Sequence, residues 1–251
     1  MTGIFITARL GSTRLLQKHL IKAGGSTFIE YLINRFAAEF KNDIAAGDVK
    51  LFITTSTDPE NMKFEEVLDG IDINIFFGAD DNIPLRHLQC AEEHNVDNIL
   101  SIDGDDILCS TKAARDVMYS LIEGASMAKT VGLPLGMNVM GYTKDFLRHS
   151  LINTPKILET GWGRIFDESH IDIINFDEIS FSSKLRMTLD YEPDADFFRA
   201  VINEIKKDIT TISDENLIKY IIENELHKIN SELNEQYWAN FNLQKNNGTS
   251  K

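Results

Sequence analysis

Short apolar runs alternate along this chain with polar, glycine-bearing loops and amphipathic stretches. Gly3–Ala8 (GIFITA) is a continuous apolar run of β type, suited to a strand buried on both faces. A polar stretch, Arg9–Gly25, follows it. Thr27 and Glu30 then match a capping box, and Phe28, Ile29, Leu32, Ile33 and Phe36 fall on one helical stripe. Val49–Thr54 reads as the second strand. Asp58 before Pro59 starts a helix over Glu60–Leu68, because proline in the first turn gives up no hydrogen bond. Ile73–Phe77 reads as a third strand, Pro84–Asn95 as a helix and Asn98–Ile102 as a fourth strand. Ala113, Ala114, Val117, Met118, Leu121 and Ile122 make a further helical stripe after Ser110.

This alternation predicts an α/β fold, a Rossmann-like and mostly parallel sheet with helices on both faces. From 131 to 183 the pattern loosens into short strands and turns, as expected of a small inserted lobe that faces a substrate or a second copy. Leu185–Leu189 reads as another strand, and Asp194–Lys207, Asp214–Leu226 and Ile229–Phe241 read as helices. The expected organisation is one main domain over 1–212 that includes the lobe, C-terminal helices over 213–243, and a disordered tail over 244–251. In open parallel sheets ligands bind beyond the carboxyl ends of the strands. The polar segments Ala8–Lys18, Thr54–Asp58, Gly78–Asn82 and Asp103–Asp106 are therefore expected to converge on one rim.

Charge sharpens this picture. The formal net charge is −14, which argues against non-specific nucleic-acid binding. Yet residues 1–29 contain no acid and carry Arg9, Arg14, Lys18 and Lys22, a basic island that suits a polyanionic ligand. No apolar stretch is long enough to cross a bilayer, and no signal peptide is expected from the short first apolar run. Cys90 and Cys109 are the only cysteines and form no CxxC motif, so a reducing, cytoplasmic setting is expected.

The first loop, Ala8 to Lys18, holds the strongest chemistry. Gly11, Ser12 and Thr13 let backbone amides approach an anion, while Arg9, Arg14 and Lys18 can neutralise phosphate oxygens. It is neither a Walker A loop nor a dinucleotide GxGxxG. Asp103, Asp105 and Asp106 end a strand and offer hard oxygens suited to Mg²⁺. The same acids equally suit helix caps or solvated positions. Asp190 reads by itself as a helix cap. None of the six histidines has metal-ligand spacing, and each reads as solvated or structural. Gly161-Trp162-Gly163-Arg164 can stack on a sugar and hold its carboxylate, or form a turn whose tryptophan packs on the sheet. Asn138, after Pro134-Leu135-Gly136-Met137, is a second acceptor-side candidate.

The run Ala-Arg-x-Gly-Ser-x-Arg-Leu-x-x-Lys at Ala8–Lys18 closely resembles the signature loop of cytidylyltransferases that activate Kdo, sialic-type acids and spore-coat polysaccharide sugars. Thr54-Thr55-Ser56-Thr57-Asp58 is similar to that family's nucleotide-side loop. Gly78-Ala79-Asp80-Asp81-Asn82, with Leu85 and Arg86, resembles its next one. Ile102-Asp103-Gly104-Asp105 and Thr188-Leu189-Asp190-Tyr191, with Asp194 after it, resemble its two metal-bearing segments. The resemblance implies a Mg²⁺-dependent enzyme that transfers CMP from CTP to a small, acidic-sugar acceptor for surface polysaccharide synthesis and releases pyrophosphate. It implies a nucleotide site of Ala8, Arg9, Gly11, Ser12, Thr13, Arg14, Lys18, Thr55, Asp80, Asp81, Asn82, Arg86 and Asp103. Arg9, Arg14 and Lys18 would carry catalysis, and Asp105 and Asp190 the metal. The acceptor candidates Asn138, Trp162 and Arg164 rest on residue type alone, since related spore-coat enzymes tend to have acids near Asn138 and Met140.

Two departures stand out: Leu16-Gln17 where the family has Pro-Gly, and Ile107 where it has proline. The competing readings are a glycosyltransferase whose Asp103-Gly104-Asp105 is a DxD motif, and a non-catalytic nucleotide-binding module. A homodimer built on the middle segment is a further expectation.

Overall fold

A computed structural model of the chain describes residues 1–158, 161–167, 169, 171–176 and 185–235. Strand β1 (Thr2–Thr7) leads through the first loop and a 3₁₀ turn (Lys18–Leu20) to a small hairpin of β2 (Lys22–Ala23) and β3 (Ser26–Thr27). Helix α1 (Phe28–Glu39) opens with the predicted capping box, Thr27 and Glu30 each accepting from the other's backbone N–H. Then come α2 (Lys41–Ala46), β4 (Val49–Ser56), a 3₁₀ turn at Pro59–Met62 running into α3 (Lys63–Val67), and β5 (Asn74–Gly78). The next elements are α4 (Ile83–Glu93), β6 (Asn98–Asp103), α5 (Thr111–Ile122), β7 (Met127–Val131), β8 (Met140–Thr143) and α6 (Lys144–Ser150). The last are β9 (Asp172–Asn175), α7 (Glu192–Ile205) and α8 (Asp214–Glu223).

The strands form one seven-stranded sheet in the order β5-β4-β1-β6-β8-β7-β9. The first four are mutually parallel, with β1 at the centre in unbroken register against β4 and β6. β8 runs antiparallel to both β6 and β7, and β9 is parallel to β7. Burial on both faces explains the continuous apolar run of β1. Ile4 and Ile6 point into the larger core with Phe28, Leu32 and Phe36, and Phe5 points into the other with Phe52, Ile99 and Trp162.

Leu185–Leu189 is not a strand of the sheet. It runs extended beneath the rim, bridging Leu135 at Arg186, with Met187 N donating to Leu135 O at 2.7 Å and Leu189 N to Asp105 O at 2.9 Å. Those single contacts deliver Asp190 to the end of β6. The stretch read as loose contains β8, α6 and β9, and its two strands join the main sheet. Of the helix expected over Ile229–Phe241, Ile229 ends a 3₁₀ turn, 231–235 is helical, and the part from 236 on lies outside the described residues, as does the whole 244–251 tail. Among the described residues no helix is long and apolar enough to cross a membrane.

Candidate active site

The four polar segments do converge on the carboxyl rim. Two clefts meet there and share Arg9 and Gly11. One, of about 600 Å³, is walled by Ser56, Thr57, Asp58, Asp80 and Asp81. The other, of about 530 Å³, takes in Ala8, Ser12, Thr13, Arg14, Lys18, Asp103 and Asp105 on one side and Ile83, Met140 and Trp162 on the other.

The first loop is tied down at both ends. Leu10 N donates to Asn61 Oδ1 at 2.8 Å, and Asn61 Nδ2 donates to Ser56 Oγ at 2.8 Å, fastening the loop to the end of β4. Gln17 adopts left-handed backbone angles (φ 47°, ψ 37°), and its side-chain amide donates to Glu60 Oε1 at 3.0 Å. This turn aims Lys18 inward. The Lys18 side chain is only 6% exposed; its Nζ lies 2.6 Å from Asp105 Oδ2 and 3.4 Å from Asp190 Oδ1, and donates to Leu189 O at 2.9 Å. Arg14 also turns toward the acids, with Nη2 2.6 Å from Asp190 Oδ1 and its guanidinium 5.5 Å from the Tyr191 ring centre. Gly104 allows this arrangement, because its N–H donates to Thr7 O at 2.8 Å and brings the end of β6 against β1.

Asp103 ends β6, and its side chain opens onto the cleft. Enclosure by protein, then the Asp105 charge, pushes its pKa up to about 6. Asp106 is raised well above the usual carboxylate range by burial and then by Asp103, against a hydrogen bond from Thr188. Asp80 is held low, because the Thr57 hydroxyl and backbone N–H both donate to Oδ1 at 2.7 Å.

Other predicted residues take supporting places. Asn82 caps α4, accepting from Leu85 N at 2.9 Å, and donates to Lys156 O at 3.1 Å. Arg86 is buried against the rim and donates to Ala79 O and Asp80 O, each at 2.8 Å, so it shapes the β5–α4 loop. Thr55 is buried inside β4 and is not part of either cleft wall; Ser56 and Thr57 take that place. Trp162 lines the cleft edge-on to a cluster of His87, Tyr142 and Phe166, with ring centres 5.7–6.3 Å away. Arg164 is exposed and Asn138 donates to Leu133 O at 3.0 Å, closing its own turn; neither lines the clefts.

Two residues not assigned to the site from sequence support its floor. His87 is fully buried: Nε2 lies 2.7 Å from the Thr7 hydroxyl at the cleft wall, and Nδ1 2.6 Å from the Tyr142 hydroxyl. Burial, then Arg86, lowers its pKa to about 3, so the imidazole is neutral. His19 places Nε2 3.5 Å from Asp105 Oδ1, and burial lowers its pKa. A buried position on the apolar face of α4 was the available signal for His87; for His19 the sequence offers none.

Among the described residues no group of three or more histidine, cysteine or acidic side chains is arranged to hold a metal. Asp105 and Asp190 nevertheless face one cation, the Lys18 ammonium. Two carboxylates with room for phosphate oxygens and water fit Mg²⁺, which seldom takes an all-protein cage.

Sheet order, helix placement and the position of the cleft define an α/β nucleotidyltransferase-like fold, and this fold is the one cytidylyltransferases have. A cytidylyltransferase from Leptospira borgpetersenii superposes with a TM-score of 0.76 at 20% identity, over 90% of this chain and 95% of that one. CMP:2-keto-3-deoxy-manno-octonic acid synthetase, in complex with CTP, superposes with a TM-score of 0.59 at 12% identity, over 81% and 98% of the two chains. An uncharacterized protein of Methanocaldococcus jannaschii is 26% identical over 152 residues, and the match spans 60% of each protein. No protein-family model matches the chain.

Proposed function

We propose that this protein is a cytoplasmic, Mg²⁺-dependent cytidylyltransferase that transfers CMP from CTP to a hydroxyl of a small acceptor and releases pyrophosphate. The single observation that carries the reading is one cleft lined by Arg9, Arg14, Lys18 and Asp105, with Asp190 paired to both Arg14 and Lys18, on a fold that a CTP-bound synthetase also has.

In this reading the acceptor hydroxyl oxygen attacks the α-phosphorus of CTP and gives up its proton to solvent, the bond to the bridging oxygen breaks, and pyrophosphate departs. Asp105 and Asp190 would hold Mg²⁺, which would supply positive charge against the phosphate oxygens. Arg9, Arg14 and Lys18 orient the triphosphate and balance charge on the leaving pyrophosphate. Gly11, Ser12 and Thr13 line the same stretch, with the Ser12 N–H given to Leu10 O at 2.9 Å, and Trp162 walls the acceptor side. An acidic sugar for surface polysaccharide is the proposed acceptor, in line with the sugar acid in the synthetase's name. Its carboxylate is not matched by Arg164, which is exposed and lines neither cleft.

Two observations favour this over its rivals. Asp105 shares its cation with Asp190 rather than with Asp103, unlike a DxD pair. Gln17 takes the left-handed turn that a glycine would, so the departure from Pro-Gly still delivers Lys18 to the acids. The test is pyrophosphate release from CTP with a panel of acidic sugars. Asp105→Ala is expected to abolish it with the fold intact, and near-normal turnover would remove the metal assignment.

A further inference from the structure

We propose that Lys18 is a placeholder cation: it holds Asp105 and Asp190 together in the nucleotide-free protein and exchanges with the divalent cation that arrives on the nucleotide. The inference rests on the nucleotidyltransferase reading for its nucleotide half only.

The geometry is that of a closed charge set. The Lys18 ammonium has three oxygen partners, Asp105 Oδ2 at 2.6 Å, Leu189 O at 2.9 Å and Asp190 Oδ1 at 3.4 Å, which match its three N–H donors. Asp190 is further held by Arg14 Nη2 at 2.6 Å and by Arg186 Nη2 at 3.0 Å. In this state the carboxylates are occupied, and Lys18 and Arg14 are both paired with acids. A divalent cation alone must displace the buried Lys18 ammonium from both carboxylates without bringing an anion in their place. A triphosphate alone meets Asp105 and Asp190 at close range. The two together resolve both conflicts: the metal takes the carboxylates, and the ammonium moves to a phosphate oxygen. Leu189 O, a neutral partner, can keep the lysine stem at the cleft floor during the move. The coupling is reciprocal, so metal and nucleotide each raise the affinity for the other.

The test is Mn²⁺ binding to the whole chain, followed by electron paramagnetic resonance with Mn²⁺ standing for Mg²⁺, without and with CTP. Wild-type protein is expected to bind Mn²⁺ weakly until CTP is added. Lys18→Met is expected to bind it without nucleotide about tenfold or more tightly than wild type, a gain within the usual range of coupling. Asp105→Asn in the same background is expected to remove the gain. Circular dichroism checks folding, and Lys18→Gln replaces the methionine variant if two facing carboxylates prevent folding. A second measurement uses wild type alone: the ¹⁵N signal of the Lys18 ammonium is expected to move with Mg²⁺ plus CTP and not with Mg²⁺ alone.

Unchanged Mn²⁺ affinity in a folded Lys18 variant overturns the placeholder role, and so does a Lys18 signal that CTP and Mg²⁺ together leave in place. If the Lys18 variant gains Mn²⁺ affinity but CTP binds neither protein, the carboxylate half stands and the cytidylyltransferase reading falls. If CTP and Mn²⁺ bind together while the variant gains nothing, the placeholder falls and the reading stands.

Discussion

Asp194 Oδ2 accepts a hydrogen bond from the backbone N–H of Asp190 at 3.0 Å, so a fully buried carboxylate fixes the acid that pairs with Arg14 and Lys18, four residues before it. The same carboxylate accepts from Tyr191 N at 3.1 Å and from Arg186 Nε at 2.9 Å, and Asn230 donates to it at 2.9 Å. Asp194→Ala leaves a buried guanidinium facing a cavity and is expected to cost about 3–5 kcal/mol of stability. Urea denaturation checks this; a cost under about 1 kcal/mol, the level of an exposed ion pair, would rule out the anchoring role.

Buried, neutral His87 makes stability fall in acid. Its folded pKa of about 3 lies below the ordinary 6.5, so its contribution is complete above pH 6.5 and is lost as pH falls from 6.5 toward 3. At pH 5 the loss relative to neutral pH is about 2 kcal/mol, from protonation of the unfolded chain alone. Asp103, raised to about 6, acts in the opposite sense below that pH. The difference between wild type and His87→Gln isolates the histidine: the variant is expected to show a flatter profile between pH 7 and 5. Parallel profiles would place the acid sensitivity elsewhere.

Gly104 is required by close approach. A Cβ there would lie 2.8 Å from Thr7 O and 2.9 Å from the Ala8 Cβ. Gly104→Ala is expected to part the end of β6 from the first loop, costing about 1–3 kcal/mol by overpacking. Because Asp105 and Lys18 sit on either side of that contact, nucleotide affinity should fall as well. Wild-type stability and affinity together would show that the approach does not shape the site.

The fold was legible where local signals and burial agree. The capping box at Thr27 and Glu30, the apolar stripe of α5 and the double-sided apolar run of β1 each have a local cause. The strand order of the parallel half then brings the four loops to one rim. Less legible were β7, β8 and α6, which are too short to show a period. Leu185–Leu189 carries strand composition but spends its hydrogen bonds on Leu135 and Asp105. In the site, residue type pointed to cations and acids, but the sequence could not reveal that Lys18 and Arg14 face the acids themselves. Nor could it show that Asn138 closes its own turn, since that depends on carbonyl positions.

The most direct test of the central claim is calorimetric titration with CTP, ATP, GTP and UTP, each with and without Mg²⁺. The account predicts selective binding of CTP, strengthened by Mg²⁺ through the coupling at Asp105, Asp190 and Lys18. Equal binding of all four nucleotides, or binding of none, would contradict it.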